Sequence, residues 1–270
     1  MDRTSSLPGL TGVRIRRLER ADVPAATTVI RDGGWGERQT VLDFYVDQPR
    51  IYPLLAEANG QVIGTAVATK NGSVGWVGLV FVTPAWRGHG LGRELTRATV
   101  DVLHDWGCRT VLLAASALGK PVYDRLGFVD DGDYVELTGP TLAVPPAATS
   151  VIRPLRSVDL AAVSALDRLA SGEDRAHLIS PDASGWVAER QGVVHGYALW
   201  ARPWSFGPTI ADNAADGALL LDTLRARARG PEVGILVPTE NTAAVDHLTA
   251  AGFVESRRLP RMWLGERVAW

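Results

Sequence analysis

The chain has 270 residues, 46% hydrophobic and 21% charged, with a formal net charge of -2. That apolar fraction excludes a mostly disordered chain, and at about 100 to 200 residues per domain the length favours two modest domains over one. The 28 Lys and Arg nearly cancel the 30 Asp and Glu, so no global field draws the protein onto nucleic acid or an anionic membrane.

Residues 1–12 read as a tail with no apolar core of a secretory signal, and no run approaches the length of a membrane span. Cys108 is the single cysteine, which excludes an internal disulfide and fits a reducing compartment; the expected location is cytoplasmic. Val13 to Glu19 is a strand, and Asp22 to Ile30 is a helix capped by Asp22. Asp32-Gly33-Gly34-Trp35-Gly36 breaks the chain before an amphipathic segment around Gln39 to Val46. Strands Pro53 to Ala58, Val62 to Thr69 and Val74 to Val82 follow, separated by Asn59-Gly60 and Asn71-Gly72, so this section is antiparallel. A helix from about Leu91 to Trp106 carries Leu91, Leu95, Ala98, Val102 and Leu103 on one face. Strand Thr110 to Ala115, a helix ending near Leu126 and a strand Phe128 to Leu137 close the first half, 13–138.

The pattern then repeats. Ile15-Arg16-Arg17-Leu18 with Ala21-Asp22-Val23 returns as Ile152-Arg153-Pro154-Leu155 with Val158-Asp159-Leu160, and Leu126-Gly127-Phe128-Val129 returns as Ala251-Gly252-Phe253-Val254. The Pro- and Gly-containing stretch 139–149 suits a linker, which puts the boundary near residue 145 and the second domain at 150–270. The fold class is α+β: two tandem domains, each a mixed, mostly antiparallel sheet flanked by helices.

The segment richest in chemistry is Val80-Phe81-Val82-Thr83-Pro84-Ala85-Trp86-Arg87-Gly88-His89-Gly90-Leu91-Gly92-Arg93. Alternating glycines between a strand and a long helix let successive amides converge at the helix N-terminus, a phosphate-binding arrangement. The nucleoside-triphosphate loop needs a Gly-Lys-Ser/Thr ending, absent here, and the dinucleotide fingerprint needs its last two glycines further apart. Arg87, Arg93 and Arg97 flank the turn.

Val82-x-Pro84-x-x-Arg87-Gly88-x-Gly90-x-Gly92 resembles the acyl-CoA motif of the GCN5-related N-acetyltransferases, and Pro121-Val122-Tyr123-Asp124-Arg125-Leu126-Gly127-Phe128 resembles that family's Leu-Tyr-x-x-x-Gly-Phe. The resemblance implies acetyl-CoA as co-substrate, with its pantetheine arm along the edge of Val80, Phe81 and Val82. Its pyrophosphate would lie on the amides of Gly88, His89, Gly90, Leu91, Gly92 and Arg93, beside Arg87. It implies direct attack by an acceptor amine, a backbone N-H of Val80 or Phe81 for the oxyanion, and Tyr123 as the acid for the departing thiolate. Ser116 would lie beside pantetheine, although Ser116 and Gly119 stand where many relatives have Asn and Ala. No metal is implied.

Strand Val74 to Val82 carries no carboxylate or histidine, and His89 sits in the phosphate turn, so Asp43 and Glu37 are the carboxylates the fold would turn towards an acceptor, with a water relay as the alternative. In the second half Gly207 to Gly217 holds Asp212 and Asp216 and no alternating glycines. An anion would be repelled there. Leu248 stands at the tyrosine position while Asn241 and Ala244 match the family's Asn-x-x-Ala. The second domain therefore resembles a degenerate copy that completes the acceptor pocket, to which Trp35 and Trp204 would add an apolar wall. The readings left open are an N-acetyltransferase for a small primary amine, a silent acyl-CoA-binding or regulatory module, and a protein N-acetyltransferase.

Overall fold

The structure, a computed structural model, describes residues 3–4, 10–143, 151–179, 183–200 and 207–267. It divides into two compact units, Met1–Asp130 with Met262–Arg267, and Asp131–Arg261. In the first unit the sheet runs β1 (Arg3–Thr4), β2 (Arg14–Arg17), β3 (Ile51–Ala58), β4 (Gln61–Asn71), β5 (Val74–Val82) and β6 (Thr110–Ala114) in spatial order. Neighbours are antiparallel up to β5, and β5 meets β6 in parallel. Helices α1 (Val23–Ile30), α2 (Gln39–Tyr45), α3 (Leu91–Asp105) and the short α4 (Lys120–Asp124) complete it.

These elements follow from local chemistry. Asn59 (φ 51°) and Gly60 (φ 75°) are both left-handed, as a two-residue turn matched to strand twist requires. Leu91, Leu95, Ala98, Val102 and Leu103 of α3 are all buried, against β3 and β4 residues on one side and β6 residues on the other. Cys108 lies in the same core, and burial pushes its thiol up.

The strand that follows α4 belongs mostly to the second unit. This strand, β7 (Val129–Pro140), runs antiparallel to β12 (Glu232–Pro238) from Tyr134 to Pro140, and its Val135 and Leu137 pack with Ile235, Val237, Leu248 and Phe253 of the second unit. The first unit instead receives the end of the final strand, whose Met262 is fully buried among Val111, Leu113 and Tyr123. The compact units part at Asp130 and again at Met262, because both strands present similar alternating apolar faces and their partners decide which unit each completes. Thr141 N-H still bonds Pro231 O at 3.1 Å, so the expected linker starts as paired chain; 144–149 lie outside the described residues.

In the second unit, β8 (Ile152–Pro154), β9 (Ser184–Arg190), β10 (Val193–Trp200) and β11 (Thr209–Ala211) form a four-stranded sheet in the order β11-β10-β9-β8. It is accompanied by α5 (Leu160–Ser171), α6 (Ala214–Arg225), α7 (Thr242–Ala250) and most of β13 (Val254–Gly265).

The internal repeat is repeated in three dimensions. Arg16 donates to both oxygens of Asp22 (2.7 and 2.9 Å) and to Glu57 (2.9 Å). Arg153 likewise donates to both oxygens of Asp159 (2.7 and 2.8 Å) and to Glu189. Each Asp also accepts a backbone N-H three residues back, from Glu19 and Arg156 respectively, at 2.8 Å. Asp22 thus closes the turn before α1 and does not cap the helix as expected, because arginine and the Glu19 amide take its oxygens. Hydrogen bonding to Arg16 holds Asp22 below the usual carboxylate range, and hydrogen bonding to Arg153 brings Asp159 to about 2. Among the described residues no helix is long and apolar enough to cross a membrane, and no three His, Cys, Asp or Glu side chains are grouped as metal ligands.

Candidate active site

The site begins with an irregularity in β5. Pairing with β4 runs Asn71↔Val74 to Val67↔Gly78, then resumes at Thr65↔Phe81, so Leu79 and Val80 form a bulge. Leu79 has φ 46°, unusual for a branched side chain, and Thr65 Oγ1 donates to its carbonyl at 3.0 Å. On the other side β5 pairs with β6 only from Val74↔Thr110 to Trp76↔Leu112. The Val80 to Val82 edge is thereby turned away from β6, beside a cavity of about 470 Å³.

Val80, Phe81 and Val82 line one wall of that cavity. The Phe81 ring is buried with Leu18, Ile30 and Leu42, so this residue meets the cavity mainly through its backbone. Trp35 joins them edge-on to Phe81, with ring centroids 5.7 Å apart. Gly33 makes that approach possible, since a Cβ there would lie 2.3 Å from Phe81 Cζ.

Residues Arg87 to Arg93 line the cavity as well. Gly88 (φ 80°) and Gly90 (φ 88°) are left-handed, and Gly90 is the N-terminal cap of α3. Glu94 N-H bonds Gly90 O at 3.1 Å, while the amides of Leu91, Gly92 and Arg93 are first-turn donors without an intrahelical acceptor. Together with the positive end of the helix dipole they make an anion cradle. Arg87 folds back and donates from Nε to Val82 O at 3.0 Å, which pins the turn to the strand end. His89 is exposed in this turn, and Arg93 lies 3.5 Å from Glu94.

Ser116 and Tyr123 also line the cavity. Tyr123 is 7% exposed and stands edge-on to Phe128, with centroids 5.9 Å apart. Burial pushes its hydroxyl up to about 12, because the phenolate loses hydration there. Ser116 Oγ accepts the Gly119 N-H at 3.1 Å. Asn241 Oδ1 accepts the Ala244 N-H at the same distance, so the first-half serine performs the capping of the second-half asparagine.

The sequence expectations meet this geometry unevenly. The β5 residues, Arg87 to Arg93, Ser116, Tyr123 and Trp35 converge on one cavity. Asp43 does not: its carboxylate is paired with Arg20 at 3.3 Å on the surface, which removes it from the lining. Glu37 Oε1 accepts the Arg38 and Gln39 amides at 2.9 Å, occupied at the start of α2. Trp204 lies outside the described residues. Trp86, Leu118, Val122 and Arg125 line the cavity and were not singled out, though all fall inside or beside the two motif segments.

The matching place in the second unit is filled by the chain itself. Asn213 Oδ1 accepts the Asp216 N-H at 2.9 Å, and its Nδ2 donates to Asp212 and Asp216 at 2.8 Å. Asp216 is fully buried and paired with Arg190; burial opposes its charge, but Arg190 and Asn213 hold it below the usual range. His195 Nδ1 lies 2.7 Å from Asp212. A capped helix start carrying a buried carboxylate is the opposite of an anion cradle.

Comparison with known proteins finds a related domain in each half. The model of the acetyltransferase (GNAT) family matches residues 17–128, and that of an acetyltransferase (GNAT) domain matches residues 163–269. Mycothiol acetyltransferase of Pseudarthrobacter chlorophenolicus is 38% identical over 89 residues, 30% of this chain and 28% of that protein. Glucosamine 6-phosphate N-acetyltransferase of Trypanosoma brucei brucei is 33% identical over 79 residues, 27% of this chain and 54% of that one. The chain thus aligns with about a quarter and about half of these relatives' lengths. A crystal structure from Pyrococcus horikoshii superposes with a TM-score of 0.82 at 21% identity, covering 98% of this chain and 93% of that one. The chain belongs to the GNAT acetyltransferase family and carries two of its domains in tandem.

Proposed function

We propose that the protein is an N-acetyltransferase that moves the acetyl group of acetyl-CoA to a primary amine of a small molecule, using the first unit alone for the chemistry. The observation that carries this reading is the convergence of the bulged β5 edge, the α3 cradle and Tyr123 on one cavity. Acetyl-CoA supplies an acetyl group activated as a thioester. Amides at the start of α3 would hold its pyrophosphate, and the β5 edge from Val80 to Val82 would pair with the amide-rich arm as an added strand does. The Val80 or Phe81 N-H would bind the oxyanion that develops during direct attack. As the C-N bond forms and the C-S bond breaks, Tyr123 would give its proton to sulfur, and the proton shed by nitrogen would pass to water.

A small acceptor is supported by the relatives named for mycothiol and glucosamine 6-phosphate, and by the aromatic ring that Trp35 adds to the cavity lining. The test is release of CoA thiol from acetyl-CoA with a panel of amino acids, aminosugars, polyamines and arylalkylamines. Turnover on at least one is expected. Steady binding with no turnover on any, or turnover on peptides alone, would replace this reading by the silent module or the protein acetyltransferase. Calorimetric titration is expected to give one acetyl-CoA per chain, because the start of α6 is occupied by Asn213 and Asp216. Two equivalent sites would refute that assignment.

A further inference from the structure

Among the described residues three that are not glycine have left-handed backbones, and two of them stand where a turn demands it: Asn59 and Gln191 each precede a glycine between paired strands. Leu79 (φ 46°) is the third, and it lies inside β5. There Leu79 and Val80 oppose Ala66 alone, because Gly78 pairs with Val67 and Phe81 with Thr65. A leucine in that conformation is strained, and it persists only where its surroundings hold it. The side chain packs on the core of Ile30, Leu42 and Phe81. The backbone is held by Thr65, which is fully buried and whose hydroxyl donates to the Leu79 carbonyl at 3.0 Å. Each group gives the other the partner that burial demands. In the second half both features are missing together. Val62-Ile63-Gly64-Thr65-Ala66 returns there as Val194-His195-Gly196-Tyr197-Ala198, and Gly64↔Val82 and Thr65↔Phe81 return as Gly196↔Ala211 and Tyr197↔Ile210. A tyrosine thus replaces the threonine, its hydroxyl turns to Asp167, and the next pair, Ala198↔Thr209, follows without a bulge.

We infer that Thr65 is a positioning residue: its hydroxyl holds the bulge that turns the Val80 to Val82 edge, and the Val80 and Phe81 N-H groups with it, to the cavity. The inference rests on the proposed function, in which that edge receives the pantetheine arm and the oxyanion. Without the hydroxyl, Leu79 relaxes towards an ordinary strand conformation, and the bulged form becomes only one of the populated forms of β5. Affinity for a ligand that needs the bulge then falls with the bulged fraction. The α3 cradle, built from other residues, is untouched.

The experiment is a double-mutant cycle, read by calorimetry, of Thr65→Val, which keeps the β-branch and removes the hydroxyl, and Leu79→Gly, which removes the strain. Thr65→Val is expected to raise the acetyl-CoA dissociation constant by about tenfold. Binding of the phosphorylated ADP half of CoA, which lacks the pantetheine arm, is expected to stay within about twofold of wild type. Thr65→Ser restores the donor and is expected to recover acetyl-CoA affinity within about threefold. In the Leu79→Gly background, where the left-handed backbone costs little, Thr65→Val is expected to cost less than about threefold. A merely structural threonine predicts the reverse, since Leu79→Gly strips packing from the same core and leaves the fold less able to absorb a second loss. A further readout needs no ligand: the amide ¹⁵N resonances of Val80 and Phe81 are expected to shift in Thr65→Val and to return towards wild type in Thr65→Ser. Equal losses in both backgrounds, or unmoved resonances, would overturn the inference. Shifted resonances with unchanged acetyl-CoA affinity would instead overturn the reading of this edge as the seat of the arm. Should Thr65→Val fail to fold, Thr65→Ala enters the same cycle under the same criteria.

Discussion

Gly90→Val is expected to weaken acetyl-CoA binding by at least about 100-fold. The cause is not a clash within the protein, since a Cβ at Gly90 meets only the Arg93 guanidinium, at 4.0 Å. It is the backbone. Gly90 has φ 88°, and an L-residue in the left-handed region costs about 1–2 kcal/mol, more when it is β-branched. Relief of that strain turns the amides of Gly88 to Gly92 out of a common focus, and the valine methyls enter the space a phosphate would take. Hydrogen bonds to charged groups contribute about 1.5–3 kcal/mol each, so losing two is a factor of about 10² to 10⁴. Gly107→Val is the control. Gly107 has φ 80°, at the far end of α3, and nothing lies within 4 Å of its Cβ position. It should lower thermal stability comparably and leave affinity unchanged. Calorimetry on both variants separates the two effects, and wild-type affinity in Gly90→Val would remove the turn from the site.

Tyr123→Phe is expected to lower kcat by at least about tenfold and to leave acetyl-CoA affinity within a few-fold. General acid catalysis supplies about 10² to 10⁴-fold, and a thiolate is already a tolerable leaving group, so the effect belongs to the small end. The ring contact with Phe128 survives the change, which preserves the fold. The structure also moves the pH signature. Burial raises the hydroxyl to about 12, so the neutral, proton-donating form persists well beyond the ordinary tyrosine range. Wild-type kcat should therefore show no decline from this group below about pH 11, and any basic limb near 12 should be missing from the variant. Steady-state kinetics across pH on both proteins checks this. An unchanged kcat, where chemistry limits the rate, would return Tyr123 to a purely structural role.

Much of this was legible before any coordinates, for a physical reason. Alternation, turn chemistry and helical spacing are local, and they located β5 at Val74–Val82 and α3 at Leu91–Asp105 almost to the residue. The glycine turn before α3 was equally plain, because the left-handed φ of Gly88 and Gly90 is a demand a sequence must meet with glycine. The repeat announced two domains, and Arg16 with Asp22 and Arg153 with Asp159 show that short motifs carried their contacts with them. What depended on distant partners stayed hidden. Nothing in the alternation of residues 129–137 says that they pair with β12, or that Met262 fills the core beside Tyr123. Asp43 looked available until Arg20, across a turn and a helix, claimed it. Sequence spacing determines the backbone an element adopts and the face it buries; which neighbour meets that face is a competition among the whole chain's surfaces, resolved only when they pack.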